Sequence, residues 1–227
     1  YRAGVTDLDY NIKEYYLEQF KKENIELSGE WSKIFLDNGI FEHFLEDLDF
    51  VNSHSLCISD EYFLNQYDNI IFEAAQGLLL DQNNIDYFPH LTPSNTGIKN
   101  PKKIIENIEW NDDINIETCY VSRTYLTRHG AGKFPSECNK NFINEYMYDK
   151  TNIPNPFQDR LRYGYLDLRE LYNRCSDDIR DFGNTKSIAI THCNEYDKWD
   201  NDLLINLFND WNIYYSDGET RNDVDLR

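Results

Sequence analysis

The amino-acid sequence predicts an α/β fold: a mainly parallel sheet with helices on both faces, led by a helical N-terminal subregion. Three observations point there. Helical periods alternate with short apolar strand signals from Asn69 onward, whereas the residues before it carry helical periods only. The 227 residues are 40% hydrophobic and 15% aromatic, enough to bury a sizeable core and offset the entropy of ordering the chain. The expected division is therefore 1–68, a helical subregion, and 69–227, an α/β region that binds ligand.

The elements follow in chain order. Tyr10 to Asn24 places Ile12, Tyr15, Tyr16 and Phe20 on one helical face among lysines and glutamates. Trp31 to Asp47 repeats the pattern with Ile34, Phe35, Phe41 and Phe44, interrupted by Gly39. Asn69 to Phe72 reads as a short strand, and Thr118 to Thr127 as a longer one rich in Thr, Tyr and Val. Leu168 to Phe182 has a helical pattern, Ser187 to Thr191 reads as a buried strand, Tyr196 to Trp211 as a helix, and Ile213 to Tyr215 as a last strand. Asp81 to Lys103, with Pro89, Pro93 and Pro101, is expected to be irregular, and long irregular segments are often functional.

A formal net charge of −19 disfavours a nucleic-acid partner, which needs a basic surface to displace counterions, and an acidic membrane face. A small anionic substrate remains compatible, because a local arginine cluster outweighs a distant field at short range. The apolar runs Ile70-Ile71-Phe72 and Leu78-Leu79-Leu80 are too short to span a bilayer. Cys57, Cys119, Cys138, Cys175 and Cys193 are odd in number and form no C-x-x-C pair, a pattern of reduced thiols and of a cytoplasmic location. His43, His54, His90, His129 and His192 have no metal-ligand spacing, so no metal site is expected. The sequence starts at Tyr1, and its one methionine is Met147, so it is expected to be a piece of something longer.

Ligands of open α/β sheets bind beyond the carboxyl ends of the strands. Glu73-Ala74-Ala75-Gln76-Gly77 follows the first strand signal, with small residues that allow close approach and an amide that donates or accepts. Thr92-Pro93-Ser94-Asn95-Thr96-Gly97 gathers hydroxyls and amides suited to phosphate or hydroxyl groups. Arg128-His129-Gly130-Ala131-Gly132-Lys133 combines cations with glycines, as an anion-binding nest does. Arg160-Leu161-Arg162 puts two guanidiniums on one face of an extended segment, suited to bidentate pairing with carboxylate or phosphate. Ser216-Asp217-Gly218-Glu219-Thr220-Arg221 follows the last strand. Each alone reads better as an ordinary turn or a solvated charge.

In order and together, these pieces resemble the adenylosuccinate synthetase family. Its pattern runs F-E-G-A-Q-G-x-x-L-D, S-N-T, T-R-x-G-x-G-P-F-P-T-E, R-x-G-W-L-D, K-L-D and S-x-G-P-x-R. The matches are Phe72 to Asp81, Ser94-Asn95-Thr96, Thr127 to Glu137, Arg162 to Asp167 and Ser216 to Arg221, covering about two-thirds of the chain. The resemblance implies the reaction IMP + L-aspartate + GTP → adenylosuccinate + GDP + phosphate. It implies that Gln76 contacts the IMP base and steadies its oxyanion, and that Thr96 holds the IMP phosphate. Arg128 and Arg162 would bind substrate, the latter through the aspartate carboxylates, and Ser216 and Gly218 would lie around the guanine. It further implies GTP and Mg2+ for the intact enzyme, with none bound strongly by these residues alone, and a homodimer.

Three departures qualify the expectation. The guanine-reading K-L-D stands here as His192-Cys193-Asn194, and an Asn amide offers one acceptor and a competing donor where Asp offers two acceptors. Asp159 and Leu161 occupy positions where the family often has arginine. The family's G-x-x-W/F-G-D-E-G-K-G-K segment, which holds phosphates and magnesium and supplies acid and base, does not occur in the 227 residues. The expectation is therefore an incomplete, inactive C-terminal part of a synthetase. A stand-alone purine-nucleotide-binding module, or a specialised synthetase using another purine nucleotide and donor, are the alternatives.

Overall fold

The structure is a computed structural model, and it describes residues 12–26, 28–55, 58–147, 152–154, 156 and 159–226. Tyr10, where the first helix was expected to begin, and Cys57 lie outside them. The chain divides into two units, Tyr1–Ser59 and Asp60–Arg227.

The first unit carries helices α1 (Ile12–Lys22), α2 (Gly29–Leu36) and α3 (Asn38–His54). The expected single helix from Trp31 to Asp47 is two, and the break sits at Asp37 rather than Gly39. Asp37 adopts an extended backbone and its carboxylate accepts from Gly39 N at 2.9 Å, an N-cap that starts α3 anew. Near the end of α3, Phe50 and His54 stack with ring centroids 4.2 Å apart.

The second unit opens with α4 (Asp60–Leu64). A long loop follows, with 3-10 turns at Leu78–Leu80 and Ile85–Tyr87, and then α5 (Lys99–Glu106). The strands are β1 (Glu117–Arg123), β2 (Tyr125–Arg128), β3 (Glu137–Cys138), β4 (Arg162–Tyr165), β5 (Thr185–Thr191), β6 (Asn212–Ser216) and β7 (Val224–Leu226). Helices α6 (Lys140–Ile143), α7 (Leu168–Asp178) and α8 (Asn201–Leu207) lie between them. One sheet has the order β1-β5-β6-β7, parallel except for the antiparallel β7; the other is the antiparallel β2-β4-β3. The α/β fold with a mainly parallel sheet is thus as expected.

The order β1-β5-β6 advances in one direction, and right-handed crossovers of that kind put their helices on one face. Accordingly Leu168, Cys175 and Ile179 of α7 and its end share one core with Leu204 and Phe208 of α8 and its end. Against them pack Ile188 and Ile190 of β5 and Ile213 and Tyr215 of β6. Ile188, Ile190, Leu204 and Phe208 are fully buried, each contributing about 1.5–3 kcal/mol of transfer free energy. On the opposite face, Cys119 and Val121 of β1 are exposed.

The expected strand from Thr118 to Thr127 is split at Thr124, where the chain passes from the first sheet to the second. Thr124 is fully buried; its N–H donates to Thr191 O and its hydroxyl to His192 O, both at 3.1 Å. The second sheet packs its own cluster of Tyr125, Ile143, Met147 and Tyr196. Burial of Tyr196 there keeps residues 196–200 out of the helix predicted over them. α8 begins instead at Asn201, with the Asp200 carboxylate accepting from Leu203 N at 2.9 Å.

Candidate functional site

An open cleft borders β1 and is lined by Gln76, Thr96, Arg123, Arg128 and Lys133, among others, all within the second unit. Its floor is built from two loops that hold each other. Gln76 has φ +69°, a left-handed conformation that turns the extended chain into the Leu78–Leu80 turn and costs a residue with a Cβ of order 1 kcal/mol. Asp81 ties this turn to the second loop. Its carboxylate accepts from Thr96 N at 2.7 Å, Asn83 N at 2.8 Å and Asn83 Nδ2 at 2.7 Å. The Thr96 hydroxyl donates to Gly77 O at 3.0 Å, so this buried threonine is a pillar between the loops. Burial alone would raise the Asp81 pKa, but the bonds from Asn83 and Thr96 outweigh it and hold the carboxyl below its usual range.

A second carboxylate fixes the far side of the loop. Asp178, at the end of α7, accepts from Ile98 N at 3.0 Å and from the Tyr120 hydroxyl at 2.7 Å. Gly97 lies against it so closely that a Cβ there would overlap the carboxylate, which is why glycine ends the Ser94-Asn95-Thr96 run. Burial, then the bond to Asp178, push the Tyr120 phenol far above its ordinary pKa, so it stays a donor.

The loop after β2 is clamped by the cross-strand pair Arg128 and Arg162. Arg128 donates through Nε to Ala131 O at 3.1 Å and through Nη2 to His90 O and Ala131 O at 3.0 Å. Arg162 spends four of its five N–H groups: Nη1 on Gly130 O (3.1 Å) and Gly132 O (2.9 Å), Nε and Nη2 on the Glu137 carboxylate (2.9 and 2.5 Å). Its guanidinium also lies over the Phe134 ring, 5.5 Å from the centroid. Gly132 has φ +106°, and a Cβ there would come within 2.5 Å of Arg128 Nη2. The pairing with Arg162 depresses the Glu137 pKa, the hydrogen bond being the larger cause.

Asn194, Ser216 and Gly218 stand apart from this cleft, beyond the carboxyl ends of the adjacent parallel strands β5 and β6. Cys193 N donates to Ser216 O at 3.1 Å and joins the two turns. Ser216 Oγ donates to Gly218 O at 3.2 Å, while Asn194 is exposed. The predicted residues therefore fall into two groups. Gln76, Thr96 and Arg128 line the cleft, Arg162 braces the loop of Arg128, and Asn194, Ser216 and Gly218 form the second group.

The sequence model described as "Adenylosuccinate synthetase" matches residues 12–213. The chain belongs to the adenylosuccinate synthetase family. It is 30% identical over 161 residues to the adenylosuccinate synthetase of Mesoplasma florum, covering 60% of this chain and 34% of that protein. It is 35% identical over 106 residues to that of Clostridium perfringens, and 38% identical over 105 residues to that of Halothermothrix orenii. Each of those two alignments covers 44% of this chain and 22% of the relative. The chain thus spans about a third or less of the length of these curated relatives.

Within this family frame, the residues that sequence reasoning passed over are the ones that hold others in place. Asp81 closes the Phe72-to-Asp81 block and Glu137 the Thr127-to-Glu137 block, so a signal for both existed; Asp178 and Tyr120 carried none that distinguishes them from surface groups. For the magnesium that a synthetase implies, the described residues offer no group of three His, Cys, Asp or Glu side chains able to hold a metal ion. They do not fit that ion by themselves. No described helix is long and apolar enough to cross a membrane.

Proposed function

We propose that these residues form the substrate-binding portion of an adenylosuccinate synthetase-type C–N ligase of purine nucleotide biosynthesis. The reaction would join IMP and L-aspartate at the expense of GTP, yielding adenylosuccinate, GDP and phosphate. The observation that carries the reading is the Asp81 bridge, which holds the Gln76–Gly77 turn against Thr96 at one cleft that also receives the Arg128 loop.

In this reading Gln76 aims its amide at the purine 6-oxygen. A donor directed at charge that develops there is worth about 3 kcal/mol. Thr96 and its neighbouring hydroxyls and amides, Thr92, Ser94 and Asn95, serve the phosphate end. Arg128 and Arg162 shape the Gly130–Gly132 loop by holding its carbonyls, and that loop closes on the substrate. Asn194, Ser216 and Gly218 take the base of the donor nucleotide, GTP in the family's reaction. Phosphoryl transfer needs phosphate- and magnesium-holding groups that the described residues do not offer, so binding and orientation are the work assigned to this chain, and no step is routed through magnesium. A homodimer, as the family resemblance implies, and a cytoplasmic location complete the proposal.

One observation favours a second reading, a purine-nucleotide-binding module or a synthetase with another donor. Asn194 is exposed and presents a single amide acceptor where two acceptors read guanine. Calorimetric titration of the chain with IMP, then GTP and ATP, tests both readings. IMP binding that weakens at least tenfold in Gln76→Ala supports the synthetase site, and equal affinity for GTP and ATP supports the second reading of the donor. Absence of binding by every purine nucleotide refutes both.

A further inference from the structure

Four arginines line or brace the cleft, and they differ in how much of their hydrogen-bonding capacity the protein uses; Arg174 pairs with the Glu170 carboxylate at 3.6 Å. A guanidinium carries five N–H groups. Arg162 has four engaged and Arg128 is turned onto loop carbonyls. Arg123 has one bond, from Nη1 to the Tyr125 hydroxyl oxygen at 3.4 Å, and no described carboxylate pairs with it. It is half-buried and lines the cleft in a chain of net charge −19. Leaving a partly desolvated cation with its donors unmatched is unfavourable unless an anion completes it.

The surroundings of Arg123 are built to orient it. Arg123 is the last residue of β1, at the carboxyl end of a parallel strand, and pairs in register with Thr191 at the end of β5. Its guanidinium lies 5.7 Å from the centre of the Tyr125 ring, a cation–π contact that holds its plane. Tyr125 is 1% exposed, and its hydroxyl donates to the Glu195 carboxylate in a short hydrogen bond. Burial first, then that bond, push the phenol far above its ordinary pKa, so the relay keeps one direction: Arg123 donates to Tyr125, and Tyr125 donates to Glu195. Glu195 is fixed in turn, its backbone carbonyl accepting from Asn144 Nδ2 at 2.8 Å. Next in sequence, Thr124 bolts this corner to Thr191 and His192. Lys133, exposed, lines the same cleft.

We propose that Arg123 is an anion-binding residue of the cleft, taking the oxygens of a phosphate or carboxylate of a small-molecule ligand, with Tyr125 and Glu195 as its positioning pair. The proposal deepens the reading of the cleft as a substrate site and rests on it. It assigns a fork-shaped donor to the ligand's anionic end, whereas Arg162 is occupied with its own loop.

The test follows the arginine Nε–Hε resonances of the full chain by NMR while inorganic phosphate or L-aspartate is added, with the Arg123 signal assigned by its loss in Arg123→Gln. A saturable shift at Arg123 with phosphate identifies a phosphate subsite, and one with L-aspartate a carboxylate subsite. In either case Arg123→Gln weakens the anion by roughly tenfold or more, the loss expected for charge-assisted hydrogen bonds. Arg123→Lys, which keeps the charge and loses the fork, falls between the two and serves if the Gln variant does not fold. Tyr125→Phe keeps the ring and removes the relay, and weakens binding less than Arg123→Gln does. No saturable shift at Arg123 with either anion, or unchanged anion affinity in both Arg123 variants, overturns the proposal. The purine reading fails separately, if IMP binding is indifferent to Gln76→Ala while Arg123 still responds to anion.

Discussion

Replacing Asp81 by Ala removes the carboxylate that joins the two loops of the cleft floor, and the structure gives the cost. The Thr96 N–H, in a residue 6% exposed, loses its acceptor at 2.7 Å, a penalty of about 1–3 kcal/mol. The bonds from Asn83 are exposed and exchange with solvent at little cost. The loss is thus local, about 2 kcal/mol, and appears as a fall of roughly 30-fold in hydrogen-exchange protection of the Thr96 amide. Asp81→Asn keeps one acceptor oxygen and loses less. The same bridge has a pH signature in the wild type. Its folded pKa lies below the ordinary value of 3.8, so its contribution is present above that value and disappears as pH falls through the folded pKa. Protection of Thr96 that is equal in wild type and Asp81→Ala would refute this account of how the loops are held.

Two further outcomes follow from the core. Leu204→Ala, at a fully buried position between α8 and the sheet, lowers stability by about 2–5 kcal/mol in urea unfolding, while Ile71→Ala, at a position 91% exposed, changes it by less than about 0.5 kcal/mol. Cys175 is 1% exposed, and burial, followed by the Asp178 carboxylate, pushes its thiol up to about 12. A thiol-specific reagent at neutral pH therefore labels exposed Cys119 in the folded chain and reaches Cys175 only on unfolding, which mass spectrometry of the labelled peptides reads directly.

How far the sequence reaches is clear from particular elements. The β-branched and aromatic runs at Ser187 to Thr191 and Ile213 to Tyr215 became central parallel strands, because residues of that kind pack well in a buried sheet. Asn69 to Phe72 has the same local signal, yet the described residues give it no ladder partner; a period says that a segment can be a strand, not what pairs with it. α5 was hidden by Pro101, which is tolerated because it sits in the first turn, where its missing N–H has no intrahelical partner. β7 was too short to register, although it closes the sheet edge beside β6. Of the site, the motif blocks were legible as loops: Gln76 and Thr96 lie on loops that follow no described strand, and the Arg128 loop follows β2. The carboxylate of Asp178 was not legible, because a lone acid acquires its role only from the donors folded against it. Nor could spacing tell that Arg162 would have four of its N–H groups engaged and Arg123 one.

The most direct test of the central claim is a hydrogen-exchange footprint of the chain with IMP, and again with GTP. The account predicts that IMP protects amides in 76–82, 94–98 and 128–133, that GTP protects 192–195 and 216–218, and that the IMP footprint fades in Gln76→Ala. IMP protection confined to other segments, or none with either nucleotide, would contradict the assignment of this cleft to the purine substrate.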